Sequence, residues 1–456
     1  MTAIIVTMLI LSYLLIATGH MTGVNKAAIA MFLGTIGWVV YVCWGADFVM
    51  AQHPHEYLAW LAGSKATSDT VKLFIYNHVF LKYVGEAAAI VMFLLATMSI
   101  VELLNNNGCF DFITEWIRTR NSKRLLWTIT LATFILSANL DNLTTTTMML
   151  VIMRHILQNS RQRMYVGSAI VLAANCGGCF TVIGDPIGLI LWGNGAVTAS
   201  HFSAYLVIPA LLAWIVPTSL INRELPDRLD SAWRPSPYRG DDTRLNRWQR
   251  VVMLIVGIGG LWFIPTFHNI TKLAPFLGAL CVLSVLWVVN EVFNRKLFAA
   301  DQMTQRRIPV SLQYGALQQM LFIMGIMLGM GVVTETGVWD DVANWFDTYI
   351  HDIWLMGIVA GLLSSVIDTF TIAISNISLY TVGVGDVATN GAYWKVIAYS
   401  TAVGGCLLSV GSISGIALMR AEHVKLGWYV KHLTPKVLLG WILGSIVLWL
   451  ELHLLA

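Results

Sequence analysis

Two stretches of this chain, 227 residues apart, each place an aspartate in the middle of an apolar segment and a glycine pair in a later one. The first copy reads SANLDNLTTTT at 137–147 and NCGGCFTVIGDP at 175–186; the second reads SSVIDTFTIAI at 364–374 and AVGGCLLSVGSI at 402–413. Asp141 thereby aligns with Asp368, and Gly177, Gly178, Cys179 and Gly184 align with Gly404, Gly405, Cys406 and Gly411. A carboxylate inside a bilayer is expensive and by default marks an ion or proton path. Around Asp141 stand Ser137, Asn142 and Thr145, and the later segment adds Asn175 and Asp185. Their hydroxyl, amide and carboxylate oxygens are hard donors, suited to a hard cation such as Na⁺. The second copy offers Thr369 and Thr371, then Ser409 and Ser412. A lone aspartate there could simply cap a half-helix. Its repetition favours a transport site, since two buried carboxylates without a use would be strongly destabilising.

The glycine pairs predict unwound segments. Each glycine weakens a helix by about 1 kcal/mol, and Pro186 removes a backbone donor and frees a carbonyl. Close packing of small residues is the competing account of the same glycines. Asp185 has no carboxylate twin, because Ser412 stands at the equivalent position. Glu102, in MSIVELLNNNG, is an accessory candidate that could equally pair with a basic residue at the membrane boundary.

These motifs need a membrane around them, and composition supplies it. Of 456 residues, 57% are hydrophobic and 12% charged, with a mean hydropathy of +0.70. Soluble domains carry roughly 25% charged residues, so the chain reads as a polytopic membrane protein. The formal charge of +3 implies no nucleic-acid partner, because the basic residues lie in short loops between apolar segments. Six scattered cysteines, mostly in apolar stretches, read as small buried residues rather than a redox pair. No two histidines have helix-face spacing for haem, and no phosphate loop, nucleophile elbow or zinc motif appears. The expectation is therefore a non-enzyme without cofactor.

Spans of about 20 apolar residues are predicted at 2–18, 27–45, 73–104, 165–193, 203–221, 251–269, 274–292, 313–333, 393–419 and 437–454. The first is read as a retained span, since it lacks a basic n-region. Two more apolar stretches, 124–157 and 353–380, are interrupted at their aspartates. Each suits a re-entrant hairpin whose irregular tip is buried in protein or lines water. With that layout, 23 of the 28 lysines and arginines fall on one side, in loops 19–26, 105–124, 154–163, 222–250, 294–312 and 420–436. By the positive-inside rule this is the cytoplasmic face. The hairpins then open to opposite faces, which makes the duplication inverted. The expected class is an all-α polytopic membrane protein with two inverted-topology repeats, re-entrant hairpins and broken transmembrane helices, a recurrent plan of secondary transporters. The N-terminal repeat is 1–221, the cytoplasmic linker 222–250 and the C-terminal repeat 251–456; residues 108–121 suggest an amphipathic interfacial helix.

At the level of motifs, SANLDNLTTTT with NCGGCFTVIGD, then SVGSISGIALM and GWYVKHLTPKVLLGWILG, resemble NhaD-type sodium/proton antiporters of the ion-transporter superfamily. VNKAAIAMFLGTIGW and MSIVE are similar too, so the resemblance spans essentially the whole chain. The wider superfamily includes arsenite permeases and dicarboxylate carriers, the latter with Ser-Asn-Thr at the hairpin tips. The resemblance implies a scaffold and a mobile unit, elevator-like movement, a homodimer, and location in a bacterial-type inner membrane. Carried onto this chain, it puts ion-site roles on Asp141, Asn142 and Thr145 and on Asp368, and matches Gly177, Gly178 and Asp185 with Gly404, Gly405 and Ser412 to the unwound segments. The chain departs from the family at Thr369-Phe370-Thr371, where Asn-Val-Pro often follows the aspartate, and at Pro186-Ile187-Gly188, where a hydroxyl-rich run is usual. The expected function is exchange of Na⁺, with Li⁺ a second candidate, for H⁺ through the paired aspartates. The alternative is a Na⁺-coupled dicarboxylate or oxyanion carrier of the same plan.

Overall fold

The computed structural model describes residues 2–62, 65–110, 121–228, 230, 245–294, 310–350 and 352–454, with isolated positions between 111 and 120. About half of the 222–250 linker, and six of the 14 residues of the expected interfacial helix at 108–121, lie outside the described residues. Among the described residues the chain is helical, with no β-strand.

Six long helices form one group: α1 (Thr2–Thr22), α2 (Lys26–Cys43), α5 (Ser68–Asn106), α11 (Arg247–Thr271), α12 (Pro275–Asn294) and α13 (Val310–Glu335), with two short helices, α3 (Gly45–Gln52) and α4 (Pro54–Leu61), between α2 and α5. Their lengths and apolar composition suffice to cross a membrane. Within α5 and α11 single π-turns occur, at Ile75–Phe80 and Ile255–Gly259. Helices α2 and α13 approach closely because glycines face each other: a Cβ on Gly34 would stand 2.8 Å from the Gly325 carbonyl, and one on Gly325 would meet the Ala30–Met31 backbone at 2.5 Å. Without a hydrophobic drive between helices in lipid, such close backbone packing is what holds them.

The other group contains the interrupted segments. Helices α6 (Ser122–Ser137) and α7 (Asn142–Ile156) form the first hairpin, followed by α8 (Ser160–Cys179), a break, α9 (Pro186–Gly193) and the spanning helix α10 (Ala199–Asn222). After α14 (Val338–Tyr349), helices α15 (Ile353–Val366) and α16 (Thr369–Leu379) form the second hairpin. Then come α17 (Ala392–Gly404), a break, α18 (Ile413–Glu422), α19 (Leu426–His432) and α20 (Thr434–Leu454). Hairpin arms of 16, 15, 14 and 11 residues reach at most roughly 24 Å at 1.5 Å per residue, short of a ~30 Å bilayer core. Both hairpins and both broken spans fall where the sequence places them.

Helix α8 packs on α6, α7, α10 and α18; α17 packs on α15 and α16; and α10 packs on α20. At one end Glu422, buried, accepts a hydrogen bond from Arg163 Nε at 2.7 Å and forms an ion pair with Arg154 Nε at 3.2 Å, tying α18 to the start of α8 and the end of α7. Lys436 pairs with Glu224, tying α20 to the end of α10. Burial pushes the Glu224 carboxyl up, but hydrogen bonds with Lys436 and Tyr165 outweigh this and hold it below the ordinary glutamate value.

Candidate ion-translocation site

Four half-helix N-termini converge between the two groups. Asp141 caps α7, its Oδ2 accepting from Thr144 N and Thr144 Oγ1, both at 2.9 Å. Asp185 caps α9, with Pro186 at the first helical position, and its Oδ1 accepts from Ile187 N at 2.9 Å. Asp368 caps α16, its Oδ2 accepting from Phe370 N at 3.1 Å and Thr371 N at 3.2 Å. Ser412 caps α18 through Gly415 N at 3.0 Å. The capping reading of these aspartates is thus met, and it does not compete with an ion role. Capping takes one oxygen of each carboxylate, and the second is turned to another element: Asp141 Oδ1 to Gln319 and Asp185 Oδ2 to Asn142, while Asp368 Oδ1 accepts no hydrogen bond.

The termini are joined across elements. Asn142 Nδ2 donates to Asp185 Oδ2 at 2.7 Å, while Asn142 Oδ1 accepts from Ser137 Oγ at 2.8 Å. Ser414 Oγ donates to the Asn142 carbonyl at 3.3 Å, and Thr369 N to the Gly411 carbonyl at 3.0 Å. Asp141, Asp185 and Asp368 are all buried, Asp368 completely.

Equivalent positions make equivalent contacts at the 227-residue offset. Ser137 Oγ donates to the Ala174 carbonyl and Ser364 Oγ to the Thr401 carbonyl, each at 2.7 Å. A Cβ on Gly177 would stand 2.9 Å from Phe134 Cα, and one on Gly404 would stand 2.7 Å from Gly361 Cα. A Cβ on Gly178 would strike the Asn142 side chain, and one on Gly405 would strike the Thr369 methyl. These glycines therefore correct the sequence reading. Gly177 and Gly178 lie in the last turn of an intact helix that ends at Cys179, Gly404 is the last residue of its helix, and unwinding begins only at Phe180 and Gly405. Their role is close approach of the hairpin tip to the break, the packing account of small residues.

Several expected residues sit elsewhere. Asn175 is buried, but its Nδ2 points to Cys406 Sγ at 2.9 Å, linking the two broken helices rather than facing a carboxylate. Ser409 Oγ points to Met419 Sδ at 3.2 Å. Glu102 is exposed on α5 and does not join the site. Thr371 supports Asp368, its Oγ1 lying 3.4 Å from Oδ2. Thr145 is fully buried with no hydrogen bond to its Oγ1, an orphaned oxygen one turn from Asp141.

Two site residues were missed by sequence reasoning, and both come from the long-helix group. Gln319 of α13 donates from Nε2 to Asp141 Oδ1 at 3.0 Å, leaving its own buried Oε1 without a partner. Lys26 of α2 places Nζ 3.7 Å from Asp368 Oδ1 and donates to the carbonyls of Ile367 and Val410 at 3.3 and 3.4 Å. The only sequence signal for Lys26 was a charge at the very start of a span. A cavity of about 510 Å³ is lined by Gly23, Lys26, Leu143, Gln319, Arg420 and His423, among others. It opens between loop 19–26 and the end of α18, on the basic face, and reaches both helix partners of the carboxylates.

A membrane-spanning helical protein with broken helices, buried carboxylates at the breaks and an access cavity is a secondary transporter. The match of residues 1–393 to the model of the citrate transporter family, CitMHS, shows the family: the chain belongs to it. It is 29% identical to sodium/proton antiporter 2 of Arabidopsis thaliana, over 86% of this chain and 91% of that one. It is 28% identical to the Na⁺/H⁺ antiporter NhaD of Vibrio cholerae, over 81% of this chain and 79% of the relative. Among solved structures, the YdaH transporter of Alcanivorax borkumensis shares the fold with a TM-score of 0.59 and 14% identity, covering 94% of this chain and 99% of the other.

Proposed function

We propose that this transporter exchanges Na⁺ for H⁺ at a site centred on Asp141, Asn142, Thr145 and Asp185. The observation that carries the reading is that three of the four converging helix N-termini are capped by buried carboxylates. A helix N-terminus bears about half a positive charge and would draw an anion. Here protein carboxylates already take that place, so the remaining demand is for a cation or a proton. The orphaned Thr145 Oγ1 and Gln319 Oε1 supply neutral oxygens beside Asp141. Na⁺ and H⁺ would compete for the same carboxylates, and the charged empty site would cross the membrane reluctantly, which couples the fluxes. The similarity to named sodium/proton antiporters supports this choice.

The two halves act as inverted repeats in this reading, and the hairpin group moves against the long-helix group in an elevator-like step, in a homodimer in the inner membrane. Li⁺ is a second candidate cargo. The family description and the Ser412 cap favour one rival, a carboxylate carrier. Proteoliposomes with an imposed pH gradient decide between them. Na⁺ addition should collapse the gradient in wild-type vesicles and not in Asp141→Asn vesicles; Na⁺-dependent uptake of labelled citrate without proton movement would sink the exchange reading.

A further inference from the structure

The two hairpin aspartates are not in equivalent company. Asp141 Oδ1 meets a neutral amide, Gln319 Nε2. Asp368 Oδ1 accepts no hydrogen bond, and the group facing it is the Lys26 ammonium at 3.7 Å. Lys26 Nζ also touches two backbone carbonyls, Ile367 at the hairpin tip and Val410 in the break of the following helix. One carboxylate oxygen and two carbonyls exposed by helix breaks are the donor set a dehydrated cation takes. The equivalent set in the first half, 227 residues earlier, is Asp141 with the carbonyls of Leu140 and Ile183. No hydrogen bond or ion pair links a lysine or arginine to that set among the described residues.

We propose that Lys26 is a tethered cation that fills the second hairpin position, leaving the Asp141 position as the single exchangeable cation site of each chain. This rests on the reading of the protein as a cation exchanger. A duplicated transporter would otherwise present two carboxylate sites and carry two cations per cycle. The ammonium neutralises Asp368 in place and holds the second tip to α2, so that tip contributes structure rather than cargo. Lys26 also lines the access cavity, so an ion entering from the basic face passes it on the way in. Its positive charge there repels a cation from Asp368 and leaves the neutral Gln319 side as the route to Asp141.

The test is equilibrium binding of ²²Na⁺ to purified full-length protein in nanodiscs, with Na⁺-driven proton flux measured on the same preparations in liposomes. Wild type should bind one Na⁺ per chain with a Hill coefficient of about one. Lys26→Gln should gain a second Na⁺ per chain, Lys26→Arg should remain at one, and Asp141→Asn should bind none. If Lys26→Gln fails to fold, the charge-balanced Lys26→Gln/Asp368→Asn protein should still bind one Na⁺ and lose it on adding Asp141→Asn. Two Na⁺ per wild-type chain, or residual Na⁺ binding in Asp141→Asn, would overturn the assignment of Lys26 while leaving exchange intact. No Na⁺ bound together with no Na⁺-driven flux would remove the exchange reading and the Lys26 assignment together.

Discussion

Asn142 Nδ2 and Asp185 Oδ2 stand 2.7 Å apart, joining the tip of the first hairpin to the break of the helix that follows. The contact makes one unit of two segments that the chain separates by 43 residues. It also orients the Asn142 amide, whose oxygen is held by Ser137.

Breaking that contact should uncouple the site without unfolding the bundle. A hydrogen bond to a charged group is worth about 1.5–3 kcal/mol, so Asn142→Leu should weaken apparent Na⁺ affinity by roughly 10- to 100-fold. Flux measured over a range of Na⁺ concentrations reads this directly; unchanged affinity would mean that Asp185 acts independently of the hairpin tip.

Gly178→Ala should be severe for a steric reason. The new methyl would strike Asn142 and stand 2.8 Å from the Gly184 carbonyl, and overpacking of this kind costs about 1–3 kcal/mol. Gly427→Ala is the control, since a Cβ there meets nothing within 4 Å. Melting curves and transport rates of the two variants should diverge, with the control at or above wild-type stability.

Glu422 holds three helices at one end through two arginines. Glu422 is the buried member of this cluster, and its side chain is the one link that Arg154 and Arg163 share across the three helices. Glu422→Ala should therefore lower the apparent melting temperature markedly, and Arg154→Ala, at the more exposed arginine, should do so less. Equal losses for the two variants would argue against a buried anchor.

The Glu224–Lys436 pair predicts a small acid sensitivity outside the membrane. Because the folded state holds the Glu224 carboxyl below its ordinary value, the pair stabilises fully above that value and the contribution fades as pH falls through the folded value. Lys436→Met should flatten the loss of thermal stability below about pH 4.5, near the unperturbed glutamate range. An unchanged acid profile would show that the pair is energetically silent, as many exposed pairs are.

Much of this architecture was legible in one dimension because the bilayer narrows the choices. Spans follow from apolar length, and the hairpins from stretches too long for one crossing and interrupted at Asp141 and Asp368. Gly177 and Gly178 were visible as a motif, yet their job was not. A helix-weakening residue and a close-packing residue look alike in sequence, and only the nearby Phe134 and Asn142 show which one operates here. Asn175 likewise carried the right chemistry but points to Cys406. Glu102 was an intramembrane carboxylate that the fold turns outward.

What the sequence by itself determined is the list of carboxylates and the breaks that expose them, since both are local properties of composition and helix propensity. What only the tertiary structure decided is which partner each carboxylate meets. Gln319 lies 178 residues from Asp141, and Lys26 lies 342 residues from Asp368. Read along the chain, Lys26 is one more basic residue of a topology-setting loop. Folded, the same charge is carried by α2 to the tip of the opposite hairpin, because α2 and α13 pack glycine to glycine and bring both side chains to the carboxylates. Pairings across such distances follow from helix packing, which no local pattern of residues encodes.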